Sequence, residues 1–543
     1  MRFFVIWFGL CCCWTNWSRA FSQPNVLFLM IDDLRPALGV YRDALAVTPN
    51  LDFLGSKSVV FEKAYAQQAL CGPSRISIMT SRRPHSLSIY GMGTYWRDQT
   101  GTNFTTLPQF FKSHGYETIP LGKIFHGNML DQPYSWSRPT NMFFNEAKHH
   151  MGFCRKPGFS NLICPVDTEE MELEGVHLID RKILHTAKNY LIHYNKRVVA
   201  NQSGPLFLAI GFHKPHIPWI VPQEFPDIFS VEDIPKVQYN MRSPSTPMFA
   251  YSDYGLATSY PEFRLFNMTN PMRPMSEDFR IQATQYYYAC VTYIDNLVGQ
   301  LLVMLDQNHM LDDTIINVIS DHGFSLGENG ELAKHSNFEV ATRVPWMIYD
   351  PLHTSASLSG FKLKPPSKIA DPSASLPVPY KTIHDPVELV DVFPTLTELA
   401  GLGQIEKCNQ SPLDKALCSD GVSQARVVIN ENPKTRSFSS RSAGVRSAAF
   451  SQFPRKHLNM VECPSKFEFI SAMGYSVRTN EFRYTEWNAW DNELGRPKRD
   501  QILGKELYDH RENNFEHDNL AEHRSFDDVV RNLSALIKIT YGV

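Results

Sequence analysis

Asn25-Val26-Leu27-Phe28-Leu29-Met30-Ile31-Asp32-Asp33 is an apolar run of strand length that ends on two adjacent carboxylates. Short apolar runs bounded by polar residues read as strands buried on both faces. A second run of this design, Thr314 to Ser320, ends on Asp321 and His322. Leu206 to Phe212 and Val344 to Tyr349 are two further such runs, separated by polar or helical stretches. The alternation predicts an α/β fold. Taken alone, Asp32-Asp33 suits a turn or a helix cap, where Asp is common. Two acidic strand ends in one parallel sheet can instead face a single crevice, and buried carboxylates there call for a divalent cation with oxygen ligands.

Outward from these strands, Val291, Ile294, Val298, Leu301 and Leu305 recur at helical spacing, and Cys290 beside them reads as core. The tract from Pro218 to Arg280 is Pro-rich and polar, as surface loops and binding rims are. Residues 431–447, rich in Ser and Arg, read as a linker between a large domain at 21–430 and a C-terminal α+β subdomain at 448–543. In the latter, Tyr475 to Thr479 and Phe482 to Trp487 form a hairpin pattern around Asn480 and Glu481, and Phe526 to Ile537 has helical spacing.

At 543 residues with 43% hydrophobic and 20% charged, the chain has material for a sizeable core, which excludes a peptide, a small disulfide scaffold and a single coiled coil. A formal charge of −3 gives no reason to expect a nucleic-acid partner. The 19 His would make the surface far more cationic in an acidic compartment. Arg2, the apolar run Phe3 to Trp14, and Ser18 and Ala20 read as a secretory signal peptide over residues 1–20, too short to span a bilayer. Its removal takes away Arg2 and Arg19, shifting the charge to −5. No later stretch reads as a membrane span. Cys11, Cys12 and Cys13 leave with the signal, so Cys71, Cys154, Cys164, Cys290, Cys408, Cys418 and Cys463 remain, an odd set with at least one free thiol. Cys154 with Cys164 and Cys408 with Cys418 enclose the shortest loops, and Cys290 with Cys463 is open. Sequons at Asn103, Asn201, Asn267, Asn409 and Asn532 agree with a lumenal glycoprotein.

The sharpest motif is Cys71-Gly72-Pro73-Ser74-Arg75, followed by an apolar run and Thr80. With Pro73 suited to the first helical position, Cys71 would stand at the positive end of a helix dipole, a setting for a bound anion; a buried or disulfide-bonded Cys is the plain alternative. The motif resembles the signature of the type I sulfatases, with Ser81 where the family pattern continues in Gly. So do Asp32-Asp33-Leu-Arg-Pro, Gly122-Lys-Ile-Phe-His, His213-Lys-Pro-His-Ile-Pro, Asp321-His-Gly, Ala333-Lys-His-Ser-Asn-Phe and Glu506-Leu-Tyr-Asp, across almost the whole mature chain.

The resemblance implies an alkaline-phosphatase-like sulfatase fold, with a large mixed sheet flanked by helices, and a Cys71 converted to formylglycine by the formylglycine-generating enzyme. It implies a metal held by Asp32, Asp33, residue 71, Asp321 and His322, Ca²⁺ in preference to Mg²⁺. It further implies catalytic roles for Arg75 and Lys123 in holding the nucleophile, Lys334 with Lys123 in offsetting charge, His216 as acid and His126 as base; His213 stays structural. The implied substrate is a sulfated glycosaminoglycan, with loss of the 2-O-sulfate of terminal iduronate in heparan or dermatan sulfate, in the lysosome or after secretion. Phe324 and His335 stand where that pattern has Trp and Tyr, two departures expected to touch the sugar pocket. The rivals are a sulfatase of different sugar or aryl specificity, a phosphodiesterase of the same fold, and a non-catalytic glycan-binding protein. A phosphodiesterase would normally present Thr or Ser at the nucleophile position.

Overall fold

The apolar run Asn25–Ile31 is a strand, β1, buried along its whole length. Its alternation works for two faces at once: Leu27, Leu29 and Ile31 enter one core, while Val26, Phe28 and Met30 enter the other. The computed structural model describes residues 23–92, 95–101, 103–127, 131–138, 162–252, 274–354, 357–366, 377–408, 415–429, 447–456, 470–512 and 515–543. The expected signal segment, Cys154, Cys463, Asn267, Asn409 and residues 431–446 of the expected linker lie outside these.

Among the described residues the main sheet has eight strands. With β2 (Val59–Tyr65), β3 (Glu117–Gly122), β4 (Leu206–Phe212), β5 (Thr314–Ser320) and β6 (Arg343–Tyr349), its central order is β2-β6-β5-β1-β4-β3. Short strands Lys381–Ile383 and Val387–Glu388 pair with β2 at the edge. β1 lies parallel to both β5 and β4, β4 is parallel to β3, and β6 is antiparallel to both of its neighbours, so the sheet is mixed as expected. In register, Ile31 stands opposite Phe212 on one side and Ser320 on the other, which brings Asp32 and Asp321 to the same sheet end.

Helices cover both faces. α1 (Cys71–Thr80) and α4 (Val392–Leu399) pack on the Phe28 side, and α2 (Ile179–Val199) and α3 (Glu277–Gln307) on the Leu29 side. α3 begins earlier than the expected Pro218–Arg280 loop allows, and Trp219–Pro222 inside that tract is a buried strand paired with Ile163–Val166. α3 also corrects the expectation that no later stretch could span a membrane, since it is long and apolar enough to do so. Its apolar surface is instead spent on the core, because Leu297, Val298, Leu301, Leu302 and Leu305 are all buried within the protein.

The C-terminal unit is an antiparallel sheet of β7 (Ala449–Arg455), β8 (Ala472–Arg478), β9 (Phe482–Asp491) and β10 (Arg496–Asp509), with α5 (Asp527–Tyr541) against it. β8 and β9 are the expected hairpin. The expected Cys408–Cys418 disulfide is present, Cys164 is disulfide-bonded, and Cys290 is buried in α3. Asn103, Asn201 and Asn532 are exposed.

Candidate active site

β2 ends at Tyr65, and the chain turns through Gln67 to Leu70 into α1, every residue of which is buried. Cys71 is the first helical residue and Pro73 the third, two positions later than the spacing suggested. Pro is tolerated there because the amides of a helix's first turn lack intrahelical partners in any case. The Cys71 Sγ lies 3.3 Å from His322 Nε2, 3.6 Å from Asp32 Oδ1, 3.5 Å from Lys123 Nζ and 3.6 Å from Lys334 Nζ. Burial and Asp32 push its thiol up, but Lys123, Lys334 and His322 outweigh them and hold it well below the ordinary thiol range.

Around Cys71 the three carboxylates divide their contacts. Asp32 follows β1 directly, its backbone amide donating to Phe212 O at 3.1 Å. It accepts from Lys123 Nζ at 2.5 Å and Arg75 Nη2 at 2.9 Å, and against the effect of burial these two cations keep its carboxyl well below the usual range. Asp33 has φ 61°, the left-handed region, and accepts from Lys334 Nζ at 2.6 Å. Asp321 accepts from Arg75 Nε at 2.7 Å and from the amides of Asp33 and His322 at 3.2 and 3.0 Å. Burial nevertheless raises its carboxyl to about 6.

The remaining residues reach the site from other elements. Gly122 and Gly211, paired in β3 and β4, let two backbones meet: a Cβ on Gly211 would lie 2.0 Å from Lys123 O, and one on Gly122, where φ is +73°, would lie 2.2 Å from Gly211 O. That contact launches Lys123 toward Asp32. His126 follows on the same segment, with no hydrogen bond to Cys71 observed, and burial lowers its imidazole to about 4. His216 is partly exposed, its Nε2 4.0 Å from Asp33 Oδ2 and its Nδ1 2.5 Å from Ile217 O. Despite burial, Asp33 raises its pKa. Thus Asp32, Asp33, Cys71, His322, Lys123 and Lys334 converge on one point, and His216 borders it.

Arg75, expected to help hold the nucleophile, lies beside Cys71 electrostatically and spends its hydrogen bonds elsewhere. Its donors go to Asp32, Asp321 and the carbonyls of Lys123 and Ile124, so it acts on Cys71 through the carboxylates. Phe324 is also corrected: it is fully buried, stacked on Tyr287 with centroids 5.5 Å apart and edge-on to Trp219 at 5.8 Å, which makes it a wall behind Asp33 and not a surface for sugar. His335 is half-buried beside Phe453, with its amide on Ala69 O at 3.3 Å. Ser74, whose Oγ donates to Asp321 O at 2.5 Å, and Ser320, whose Oγ accepts from Leu34 N at 2.9 Å, join the site without any chemical signature of their own in the sequence. Their one sequence signal is position, Ser74 within Cys71–Arg75 and Ser320 directly before Asp321.

A divalent cation fits this donor set. One ligand atom from each of Asp32, Asp33, Cys71 and His322 lies within 4.8 Å of every other, and all four residues are buried. Asp33 Oδ2 is buried with no hydrogen-bond donor, a costly state that a cation would relieve. Asp321 stands beside this group, its oxygens engaged by Arg75 and two backbone amides.

Residues 24–402 match the family model described as Sulfatase. The chain is 36% identical to iduronate 2-sulfatase of Mus musculus, over 94% of this chain and 92% of that protein. It is also 36% identical to iduronate 2-sulfatase of Homo sapiens, over 96% of each. Among solved structures, the phosphonate monoester hydrolase of Silicibacter pomeroyi superposes with a TM-score of 0.63 over 95% of this chain and 94% of that one, at 20% identity, a likeness of fold alone. The alkaline-phosphatase-like sulfatase architecture is therefore the fold of this chain.

Proposed function

The chain belongs to the sulfatase family and is a sulfuric ester hydrolase, and from that premise we propose that it removes the 2-O-sulfate of terminal iduronate in heparan and dermatan sulfate. The observation that carries the reading is Cys71 at the start of a buried helix, with Asp32, His322, Lys123 and Lys334 all within 3.6 Å of its sulfur. Identity to the two iduronate 2-sulfatases over nearly the full chain supports the substrate. The same reading has the signal at 1–20 removed, a catalytic domain at 21–430, a linker at 431–447 and a subdomain at 448–543. It takes the chain through the secretory pathway, past a formylglycine-generating enzyme, to the lysosome or to secretion. The exposed sequons support that route.

Residue 71 as hydrated formylglycine supplies two hydroxyls on one carbon, one to receive the sulfuryl group and one to drive its expulsion as sulfate. Ca²⁺, or Mg²⁺, held by Asp32, Asp33, His322 and residue 71 with Asp321 beside them, would supply Lewis acidity toward the sulfate oxygens. Lys123 and Lys334 flank residue 71 and offset negative charge on the transferring group, each such donor being worth on the order of 10²–10³ in rate. Arg75 fixes Asp32 and Asp321, and so orients the cluster. His216, partly exposed at the border of the cluster, protonates the departing sugar oxygen, and His126 takes the proton from the second hydroxyl of residue 71.

The test is desulfation of a defined uronate-2-sulfate disaccharide beside a 6-O-sulfated hexosamine and an aryl sulfate. Preference for the first is expected, and preference for either of the others overturns the substrate. Cys71→Ala should abolish turnover, and Cys71→Ser should accumulate a sulfated enzyme, detected by intact mass. Substantial turnover by Cys71→Ala would sink the nucleophile.

A further inference from the structure

We propose that Tyr287, on the core helix α3, is the positioning residue that shapes the turn Asp32-Asp33-Leu34-Arg35 for cation binding; the proposal rests on the reading of the carboxylate cluster as a cation site. Tyr287 is fully buried, yet its hydroxyl stands at the turn. It donates to Asp33 O at 2.8 Å and accepts from Arg35 N at 2.9 Å, so one oxygen satisfies two backbone groups on either side of Leu34. Asp33 is in the left-handed region, which a non-glycine residue occupies only where its surroundings enforce it. Leu34 N is held by Ser320 Oγ and Asp33 N by Asp321 Oδ1, both from the β5 end. Tyr287 adds the third fixed point, from a different element.

The ring of Tyr287 ties the second half of the site to the first. It stacks on Phe324, two residues past His322, and meets Trp219 edge-on with centroids 6.5 Å apart. Arg35, whose amide bonds to Tyr287, sends its guanidinium to Phe324 O at 3.4 Å and to Glu328 at 2.6 Å. Both segments bearing expected ligands, 32–35 and 321–324, are therefore indexed to one side chain. The buried Asp33 Oδ2, which lacks a donor, sits on the turn that Tyr287 holds, and the direction of that oxygen is what a change in the turn would spoil. Groups behind metal ligands act in this way, by fixing the orientation of the ligand.

The experiment is calorimetric titration of Ca²⁺ into the metal-stripped full-length mature protein, wild type against Tyr287→Phe, with the melting temperature of each measured with and without Ca²⁺. The substitution keeps the ring and removes one oxygen. Ca²⁺ affinity is expected to fall about 10- to 100-fold, and the Ca²⁺-induced rise in melting temperature to shrink. A purely structural role would lower both melting temperatures together and leave the affinity at the wild-type value, which overturns the proposal. Phe324→Leu removes the stacking partner and leaves every hydrogen bond of the turn, so it decides the matter if Tyr287→Phe does not fold. A smaller loss of affinity supports the proposal, and wild-type affinity contradicts it. No sulfated substrate enters the titration, so its outcome is separate from the substrate assignment. A wild-type protein that binds no Ca²⁺ overturns the cation site together with this proposal.

Discussion

Arg75 is a fully buried guanidinium whose three nitrogens are spent on Asp32, Asp321 and two carbonyls. Removing one partner of such a buried pair strands the others, so Arg75→Ala should cost about 3–5 kcal/mol in chemical unfolding. Its activity should fall by on the order of 10² or more, because the carboxylates lose their orientation. Near-normal turnover by a folded Arg75→Ala would contradict this. The sequence made the residue types of the site legible, since Cys71, Asp32, Asp321, Lys123 and Lys334 lie in compact motifs at element ends. It did not reveal which of them touch. Arg75 is one turn of helix from Cys71 and reads as its neighbour, yet its long side chain reaches past it to the carboxylates. Ser81, where the family pattern has Gly, is the left-handed residue that ends α1, with φ 54°. Its hydroxyl, bonded to Val390 O and Ser419 Oγ, provides fixed partners for a conformation that Gly would adopt freely. Neither partner is near it in sequence.

At the scale of elements, the site is where strand ends meet, and periodicity alone located β1, β4, β5 and β6. β2 and β3 were not singled out, because Glu62 and Lys63 interrupt the first and Pro120 the second. The antiparallel direction of β6 could not be read from its composition either, since direction is set by the connections. The least legible element was the clamp that joins the C-terminal hairpin to the catalytic sheet. Glu339, a few residues after Lys334, is held by Arg478 Nε at 3.0 Å and Arg483 Nη2 at 2.7 Å, and Arg483 Nε also bonds Glu516 at 2.6 Å. Asn337 Nδ2 bonds Gly474 O at 3.2 Å in the same hairpin. The loop bearing Lys334 is thus fixed from the subdomain side. Arg483→Ala leaves Glu339 and Glu516 short of a buried partner and should destabilise by about 3–5 kcal/mol, with kcat falling more than KM rises. Unchanged kcat in the folded variant would show that the subdomain does not set Lys334.

For the molecule as a whole, buried acids outside the Cys71 cluster couple stability to pH. Burial raises Asp295 and Asp391 to about 8 and Glu331 and Glu506 to about 7. The folded chain therefore keeps protons that the unfolded chain, with carboxyls near 4, has released, so these groups lower stability as pH rises from about 4 to 8. Burial works oppositely on His85, lowered to about 4, and His335, lowered to about 3: the unfolded chain binds their protons more tightly below about 6.5, and stability drops as pH falls through that range. Above about 6.5 those two imidazoles no longer contribute, while the buried acids continue to lower stability as pH rises, joined by His322, which Asp321 raises to about 9 against the effect of burial. The melting temperature should decline from pH 6.5 to 8, and a flat or rising profile there would contradict the assignment. The near-neutral net charge suggested an ordinary surface, yet Arg75, Lys123 and Lys334 gather against Asp32, Asp33 and Asp321 at a single sheet end. A divalent cation added to that balance would make a pocket for a sulfate ester, and everything proposed for it turns on residue 71. The most direct measurement is the mass of the tryptic peptide Ala64–Arg75 from the secreted, mature protein. The account predicts the formylglycine aldehyde or its hydrate in place of the Cys71 thiol, and a peptide that carries only unmodified Cys71 in active enzyme would contradict it.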